Sequence, residues 1–136
     1  MLKQPKSIVE IILPDTGIPD EYEGFLYKFT NLDNGKMYIG VHKGKFDDGY
    51  FHTSKNAEFR GALAASTSRF SYEIMRFGKY DRQTVTEYEI LKMEDAPNSD
   101  RYYNMNWGSP QYHIVKTKLV GDIADGVMAG NYPTAR

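Results

Sequence analysis

Two tyrosines are placed along the sequence so that they can act together. Tyr27 and Tyr38 flank the pair Asn34-Gly35, and Asn-Gly between two alternating runs is a strong signal for a β-hairpin. A hairpin brings both phenols to neighbouring strands, where they can take part in proton transfer. His42 and Lys43 follow at the exit of the second strand, which adds a proton acceptor and a cation. Together these groups would suit chemistry on a phosphate.

Each of these residues also has a purely structural interpretation. The two tyrosines would stabilise a hairpin as a cross-strand aromatic pair. Gly40 marks either a close approach of the backbone to a phosphate or a β-bulge. His42 could be an ordinary surface histidine, and Lys43 with Lys45 a solvated pair of cations. The residue types alone leave both interpretations open.

The hairpin is the most regular part of the chain. From Gly24, Phe25, Tyr27 and Phe29 alternate with other side chains in the period of a half-buried strand, and residues 36–42 repeat the pattern. Asn34-Gly35 is expected to form a type I′ turn, in which both residues have positive φ.

The remaining elements follow from caps, spacing and β-forming residues. Apolar residues at i, i+4 and i+7 predict a helix before Gly78, and a stretch rich in β-formers predicts the third strand of the sheet. The predicted elements are a strand over residues 7–13, a helix over 56–65 capped by Thr53 or Ser54, a helix over 68–78, a strand over 84–92 and a strand over 112–116.

The amino-acid composition limits the classes of protein to which the chain can belong. A chain of 136 residues with 40% hydrophobic residues fits one domain with extensions. The absence of cysteine excludes disulfides, thiolate metal sites and cysteine nucleophiles, and favours the cytoplasm. No apolar run is long enough for a signal sequence or a membrane span. Residues 28–82 carry ten Lys or Arg against six Asp or Glu, a basic middle that would attract a phosphate backbone.

The hairpin resembles the core of the GIY-YIG nuclease family. Phe25-Leu26-Tyr27 and Tyr38-Ile39-Gly40 resemble the two signature triplets, the first altered and the second intact, joined by the usual Asn-Gly-Lys turn. The resemblance continues through residues 40–43, 47–50, 54–55, 75–80 and 89–91, and ends with residues 103–104 and 107–108. In these stretches the chain is similar to a phage-associated, homing-endonuclease-like branch of the family. It defines a domain over residues 24–108, with an N-terminal extension over 1–23 and a C-terminal extension over 109–136.

The resemblance implies both a fold and an activity. The fold would be α+β, a small antiparallel sheet of about three strands flanked by helices. The activity would be hydrolysis of DNA phosphodiesters assisted by Mg²⁺ or Mn²⁺, in the cytoplasm of a bacterial host if the protein is phage-encoded. The residues implied are Tyr27, Tyr38, Arg60 and His42 for catalysis, and Gly40, Lys43, Lys45 and Lys55 for binding nucleic acid.

Two departures from the family leave the activity open. The family's arginine is best matched by Arg60, with Arg69 and Arg76 as alternatives. The family's metal-binding carboxylate lies on a helix before the terminal Tyr-Asn…Gly element, but here only residues 93–102, which include Pro97, precede that element. This span leaves no room for a helix. Spacing singles out none of the possible ligands, Glu87, Glu89, Glu94, Asp95 and Asp100.

A second interpretation is therefore a catalytically inactive module with the GIY-YIG fold. It would bind nucleic acid or a protein partner, as a phage accessory, structural or anti-defence protein. Residues 109–136 are too short and too weakly charged to be a further DNA-binding domain. Oligomeric state is not indicated by the sequence.

Overall fold

The computed structural model describes residues 5–48 and 54–108. Thr53 and the strand predicted over residues 112–116 lie outside the described residues. In chain order the elements are β1 Ile8–Ile12, β2 Gly24–Asn31, β3 Met37–Lys43, α1 Ala57–Ala64, β4 Phe70–Gly78, α2 Tyr80–Met93 and a single 3₁₀ turn Ala96–Asn98.

The strands form one four-stranded mixed sheet in the order β1-β4-β2-β3. The central strand β2 is antiparallel to both β3 and β4, while β1 is parallel to β4. The predicted α+β class is confirmed, and its antiparallel three-stranded core is present. The sheet has a fourth strand because the predicted strand over residues 7–13 joins the edge of β4.

The sheet is covered by a helix on each face. On one side Phe25, Tyr27 and Phe29 pack with Phe59 of α1. On the other side Leu26 and Ile39 pack with Leu91 of α2. This arrangement explains why every residue from Gly24 to Tyr27 is buried, although the sequence suggests a strand buried on one face only. No helix among the described residues has the length and apolar character needed to cross a membrane.

The hairpin is confirmed, but its turn differs from the prediction. Gly35 has φ of 77°, whereas Asn34 keeps a negative φ, so the turn is not type I′. The connection is longer than two residues: the amide of Gly35 donates to the Asn31 carbonyl at 2.7 Å, and the amide of Asn31 donates to the Lys36 carbonyl at 2.8 Å.

Two predicted elements have the opposite secondary structure. The helix predicted over residues 68–78 is strand β4, in which Phe70, Tyr72 and Ile74 alternate on the buried face with at most 1% of their surface exposed. The strand predicted over residues 84–92 is part of helix α2. A helix therefore does precede the terminal Tyr103-Asn104 element, although the sequence seemed to leave no room for one. It ends at Met93, at the start of the segment 93–102, and does not lie within that segment.

Helix α1 spans nearly the predicted range of residues 56–65, but its N-cap is not one of the two predicted residues. Its N-cap is Asn56, whose side chain accepts a hydrogen bond from the Phe59 amide at 2.9 Å. The predicted cap Ser54 instead accepts from the Asn56 amide at 3.1 Å. The Asn56 side-chain amide also donates to the Tyr103 carbonyl at 2.9 Å, which ties the start of α1 to the segment that follows the 3₁₀ turn.

Candidate functional site

A cavity of about 640 Å³ opens beside β3, between the hairpin, α2 and the end of the described chain. Its lining combines phenols, one imidazole, two lysines, one carboxylate and two side-chain amides. The lining residues are Tyr27, Tyr38, Gly40, Val41, His42, Lys43, Ser54, Lys55, Tyr80, Glu87, Asn104, Met105, Asn106 and Gly108. Six of the eight residues that the sequence predicted for the site are therefore brought together.

Tyr27 reaches this cavity across Gly40. The two residues are paired in the β2–β3 register, and the Tyr27 side chain is only 1% exposed. A Cβ atom built at Gly40 would overlap the hydroxyl and the ring of Tyr27. Gly40 is therefore required so that the phenol can lie over the β3 backbone, rather than as a bulge.

Tyr38 is positioned from the helix side. It lies diagonally opposite Tyr27 on the hairpin, with ring centroids 6.3 Å apart. Its ring stacks on Phe59 of α1, with centroids 4.6 Å apart and an interplanar angle of 19°. Phe59 is fully buried, so the stack fixes the Tyr38 ring against the core while one side of it remains on the cavity wall.

His42 and Lys43 lie at the end of β3, as the sequence predicts. The His42 ring contacts Phe25 edge-on, with centroids 5.5 Å apart, and its Nε2 atom is 2.5 Å from a carboxylate oxygen of Asp48. The Lys43 ammonium lies 5.5 Å from the centre of the Tyr80 ring. Both side chains line the cavity, one with an imidazole and the other with an ammonium group.

Glu87 and Tyr80 of α2 also line the cavity, although the sequence pattern did not single them out. Glu87 is only 7% exposed, and its carboxylate lies about 3.3 Å from the Cβ position of Gly108. Gly108 has φ of 127°. Any other residue at position 108 would have a strained backbone, and its side chain would press against the carboxylate. The close approach of the chain to Glu87 therefore requires glycine at this position.

Asn104 closes the edge of β3 next to the cavity. Its side-chain amide donates to the Ile39 carbonyl at 2.8 Å and its oxygen accepts from the Ile39 amide at 3.0 Å. The adjacent backbone continues this pairing, because the Tyr103 amide donates to the Met37 carbonyl at 2.7 Å and the Met37 amide donates to the Arg101 carbonyl at 2.9 Å. Asn104 thereby acts as a strand extension that holds β3 at Ile39, the residue before Gly40.

We expect Asn104→Ala to lower the free energy of unfolding by about 2–6 kcal/mol. It leaves the amide and carbonyl of Ile39 without partners in a buried environment, and each such group costs about 1–3 kcal/mol. Urea unfolding followed by circular dichroism measures the change. Asn98→Ala is the control, since its exposed amide contacts only a surface carboxylate. Equal stability of the two variants would contradict this role for Asn104.

Arg60 and Lys45 are the two predicted residues that do not line the cavity. Arg60 is exposed on α1. Lys45 lies 4.4 Å from the centre of the Tyr22 ring on the loop after β3. The alternative arginines have structural contacts instead: Arg69 pairs with Asp33, and Arg76 donates to Gln83 and Thr86 of α2. Among the described residues that line the cavity, the permanent positive charges therefore belong to Lys43 and Lys55.

The other four carboxylates considered as metal ligands, Glu89, Glu94, Asp95 and Asp100, do not line the cavity. Glu94 accepts from Arg101 at 3.3 Å and from the Tyr102 hydroxyl at 3.2 Å; burial of Tyr102 and the nearby Glu94 carboxylate raise the pKa of that phenol. Within residues 5–48 and 54–108, no group of three or more Asp, Glu, His or Cys side chains is placed to hold a metal ion. Glu87 is the one carboxylate that the described residues bring to the cavity.

The chain is similar in sequence to two proteins of a bacteriophage. The chain is 28% identical over 102 residues, 74% of its length, to the protein named "Putative endonuclease segE" of Enterobacteria phage T4. It is 34% identical over 86 residues, 62% of its length, to "Putative endonuclease segB" of the same phage. These matches cover 49% and 38% of the two proteins, so the chain spans less than half the length of either. No protein-family model matches the chain, and no solved structure matches it.

Proposed function

We propose that this protein is a divalent-metal-dependent endonuclease of the GIY-YIG type that hydrolyses DNA phosphodiesters. The observation that carries the proposal is the buried carboxylate of Glu87 in the same cavity as Tyr27, Tyr38 and His42. The names of the two phage relatives support the endonuclease part of this proposal. Convergence of a buried acid, phenols and an imidazole in one cavity is the arrangement expected of a catalytic site.

Glu87 is the residue that would hold Mg²⁺ or Mn²⁺. Mg²⁺ in nucleic-acid enzymes is commonly bound by one or two carboxylates, with waters and substrate phosphates completing its coordination. A single, nearly buried carboxylate open to a cavity of this size fits that donor set. When bound, the ion would supply positive charge that stabilises the charge developing on the phosphate.

The chain's own residues would divide the proton transfers of hydrolysis. A water oxygen forms a bond to phosphorus while the bond to the leaving sugar oxygen breaks, so the water must lose a proton and the leaving oxygen must gain one. Tyr27, held over Gly40, would help to activate the water, and Tyr38 would orient it. His42 would accept the proton that the water loses and would then return it to the leaving oxygen, since an imidazole can both accept and donate a proton.

The lysines of the cavity would bind the substrate backbone. Lys43 and Lys55 line the cavity, and ammonium groups offset phosphate charge without reading base sequence. The family resemblance gives the charge-neutralising role to Arg60, but Arg60 is exposed on α1 away from this lining. In our proposal Lys43 takes that role.

The inactive-module interpretation depended on the apparent absence of a helix that could carry the metal-binding carboxylate. Helix α2 occupies the required place before the terminal Tyr103-Asn104 element, and Glu87 lies on its buried side. A protein partner and the oligomeric state stay open in our proposal.

Nicking of supercoiled plasmid DNA in the presence of Mg²⁺ or Mn²⁺ tests the proposal. Wild-type protein should convert the plasmid to open circles, and Tyr27→Phe should be slower by about 10²-fold or more, the usual contribution of a positioned proton-transfer group. Tyr72→Phe is the matched control. It removes the hydroxyl of an equally buried tyrosine that does not line the cavity.

The proposal predicts that Tyr72→Phe keeps nearly full activity and that chelation of the metal stops nicking by the wild type. Wild-type protein that binds DNA but never nicks it, with either metal, would instead support the inactive module. Equal losses of nicking activity in Tyr27→Phe and Tyr72→Phe would mean that Tyr27 is not the catalytic phenol.

A further inference from the structure

The imidazole of His42 is held by a carboxylate, Asp48, to which the family resemblance gives no role. Nε2 of His42 and an oxygen of Asp48 are 2.5 Å apart. The His42 side chain is 15% exposed, whereas that of Asp48 is 38% exposed. The pair therefore links the cavity wall, where His42 lies, to the loop that follows β3.

Gly44 provides the space in which this pair forms. It has φ of 148°, and a Cβ atom built on it would come within 2.5 Å of Nε2 of His42 and 2.6 Å of the Asp48 carboxylate. Any side chain at position 44 would separate the imidazole from the carboxylate. The His42–Asp48 contact thus depends on a glycine whose conformation side chains rarely adopt.

The loop that carries Asp48 is anchored independently of the pair. The Gly44 amide donates to the Glu23 carbonyl at 2.9 Å, and the Phe46 amide donates to the Tyr22 hydroxyl at 2.9 Å. The Asp48 amide donates to the Lys45 carbonyl at 3.3 Å, which closes a turn. Contacts just before the turn and within it therefore bring the carboxylate to the histidine.

We propose that Asp48 is a positioning residue that fixes the tautomer and the ring orientation of His42. An ionised carboxylate can only accept hydrogen bonds, so the facing Nε2 atom must carry the proton. In the neutral ring, Nδ1 is then the nitrogen that accepts a proton. The edge contact with Phe25 holds the ring in the same orientation.

The catalytic consequence rests on the proposed nuclease function. A proton acceptor is effective only when its basic nitrogen is held in one place relative to the reacting atoms. With Asp48 on one nitrogen, His42 would present the other in a constant position and would return a proton without turning its ring. Asp48 touches no substrate in this scheme and acts through His42.

The pairing is tested by NMR of ¹⁵N-labelled protein, which does not depend on activity. The chain has three histidines, and His42→Gln identifies the signals of His42. We expect the neutral wild-type ring to be protonated at Nε2, with a slowly exchanging proton. That proton should exchange rapidly in Asp48→Ala and Gly44→Ala. Asp47→Ala, which removes the adjacent exposed carboxylate, is the control and should leave the signal unchanged.

The catalytic part is tested by single-turnover cleavage of a DNA duplex. Asp48→Ala should lower the rate about 10-fold to 100-fold, the range known for groups that orient metal-binding histidines, with little change in DNA affinity. In a His42→Ala background the same substitution should have no further effect, because the two residues act as a unit. Asp47→Ala should cleave like the wild type.

Two results would overturn the proposal: an Nε2 proton of His42 that persists in Asp48→Ala, or equal rates for Asp48→Ala and Asp47→Ala. Failure of the wild type to cleave DNA would instead reject the nuclease function, and the NMR experiment would still decide whether Asp48 positions His42. Melting temperatures of the folded variants separate these effects from loss of stability.

Discussion

Glu87→Gln is expected to lower metal-dependent DNA cleavage by at least about 1,000-fold. A bound divalent ion contributes several kcal/mol of charge stabilisation, and each 1.36 kcal/mol corresponds to about tenfold in rate. Glutamine has nearly the same shape as glutamate but lacks the negative charge that attracts the ion. The fold should be retained, because glutamine fills the same space.

The matched control is Glu89→Gln, which removes the same charge two residues along α2. Glu89 does not line the cavity. Single-turnover cleavage should be measured over a range of Mg²⁺ concentrations, together with DNA binding by fluorescence anisotropy without metal. Glu89→Gln should cleave like the wild type, and both variants should bind DNA. A Glu87→Gln protein that cleaves at the wild-type rate would remove Glu87 from the proposed metal site.

The hairpin is the part of the fold that the sequence predicts best. Its strands alternate with period two, its turn contains Asn34-Gly35, and the structure places both strands within about a residue of the expected limits. The local signals here agree with the tertiary environment. Alternation fixes the face on which each side chain lies, so Tyr27 and Tyr38 could be placed on one face of the hairpin. The predicted type I′ turn would have paired Tyr27 with His42, however, and the observed pairing of Tyr27 with Gly40 follows from the longer connection.

The exchange of helix and strand after α1 has a specific physical cause. In α2 the buried residues include Gln83, Thr84 and Glu87, which are polar and therefore hide the helical stripe from a hydrophobic pattern. In β4 the residues Phe70 and Ile74 suit a helical spacing as well as a strand. Tyr72, which lies between them in the sequence, is also buried, and this alternation fits only a strand. The burial of Tyr72 results from the pairing of β4 with β2, which is a long-range contact.

The same exchange concealed the carboxylate of the site. Once residues 84–92 are assigned to a strand, the search for a helix moves to residues 93–102, where Pro97 forbids one. Recognition that Thr84, Glu87 and Leu91 are spaced by three and four residues would have indicated a helical face. The contacts of Asn104 and Gly44 depend on distant backbone and on one loop, so no local pattern predicts them.

Gly40→Ala is expected to reduce cleavage by about 100-fold and to lower stability by about 1–3 kcal/mol. The new methyl group would overlap the Tyr27 ring and hydroxyl, and overpacking of a tight core costs about this amount. Displacement of the phenol by even about 1 Å is enough to slow a reaction about 100-fold. Plasmid nicking and urea unfolding measure the two effects.

Gly61→Ala is the control for loss of glycine. A Cβ atom at Gly61 would meet nothing within 4 Å, and alanine in the α1 helix should raise stability by about 0.5–1 kcal/mol without an effect on cleavage. The decisive comparison is the double variant Gly40→Ala with Tyr27→Leu. If the methyl group acts by displacing the ring, the two destabilisations will be less than additive, since leucine leaves room for it. Full additivity would mean that Gly40 serves the β3 backbone alone, and that the position of the Tyr27 hydroxyl is set elsewhere.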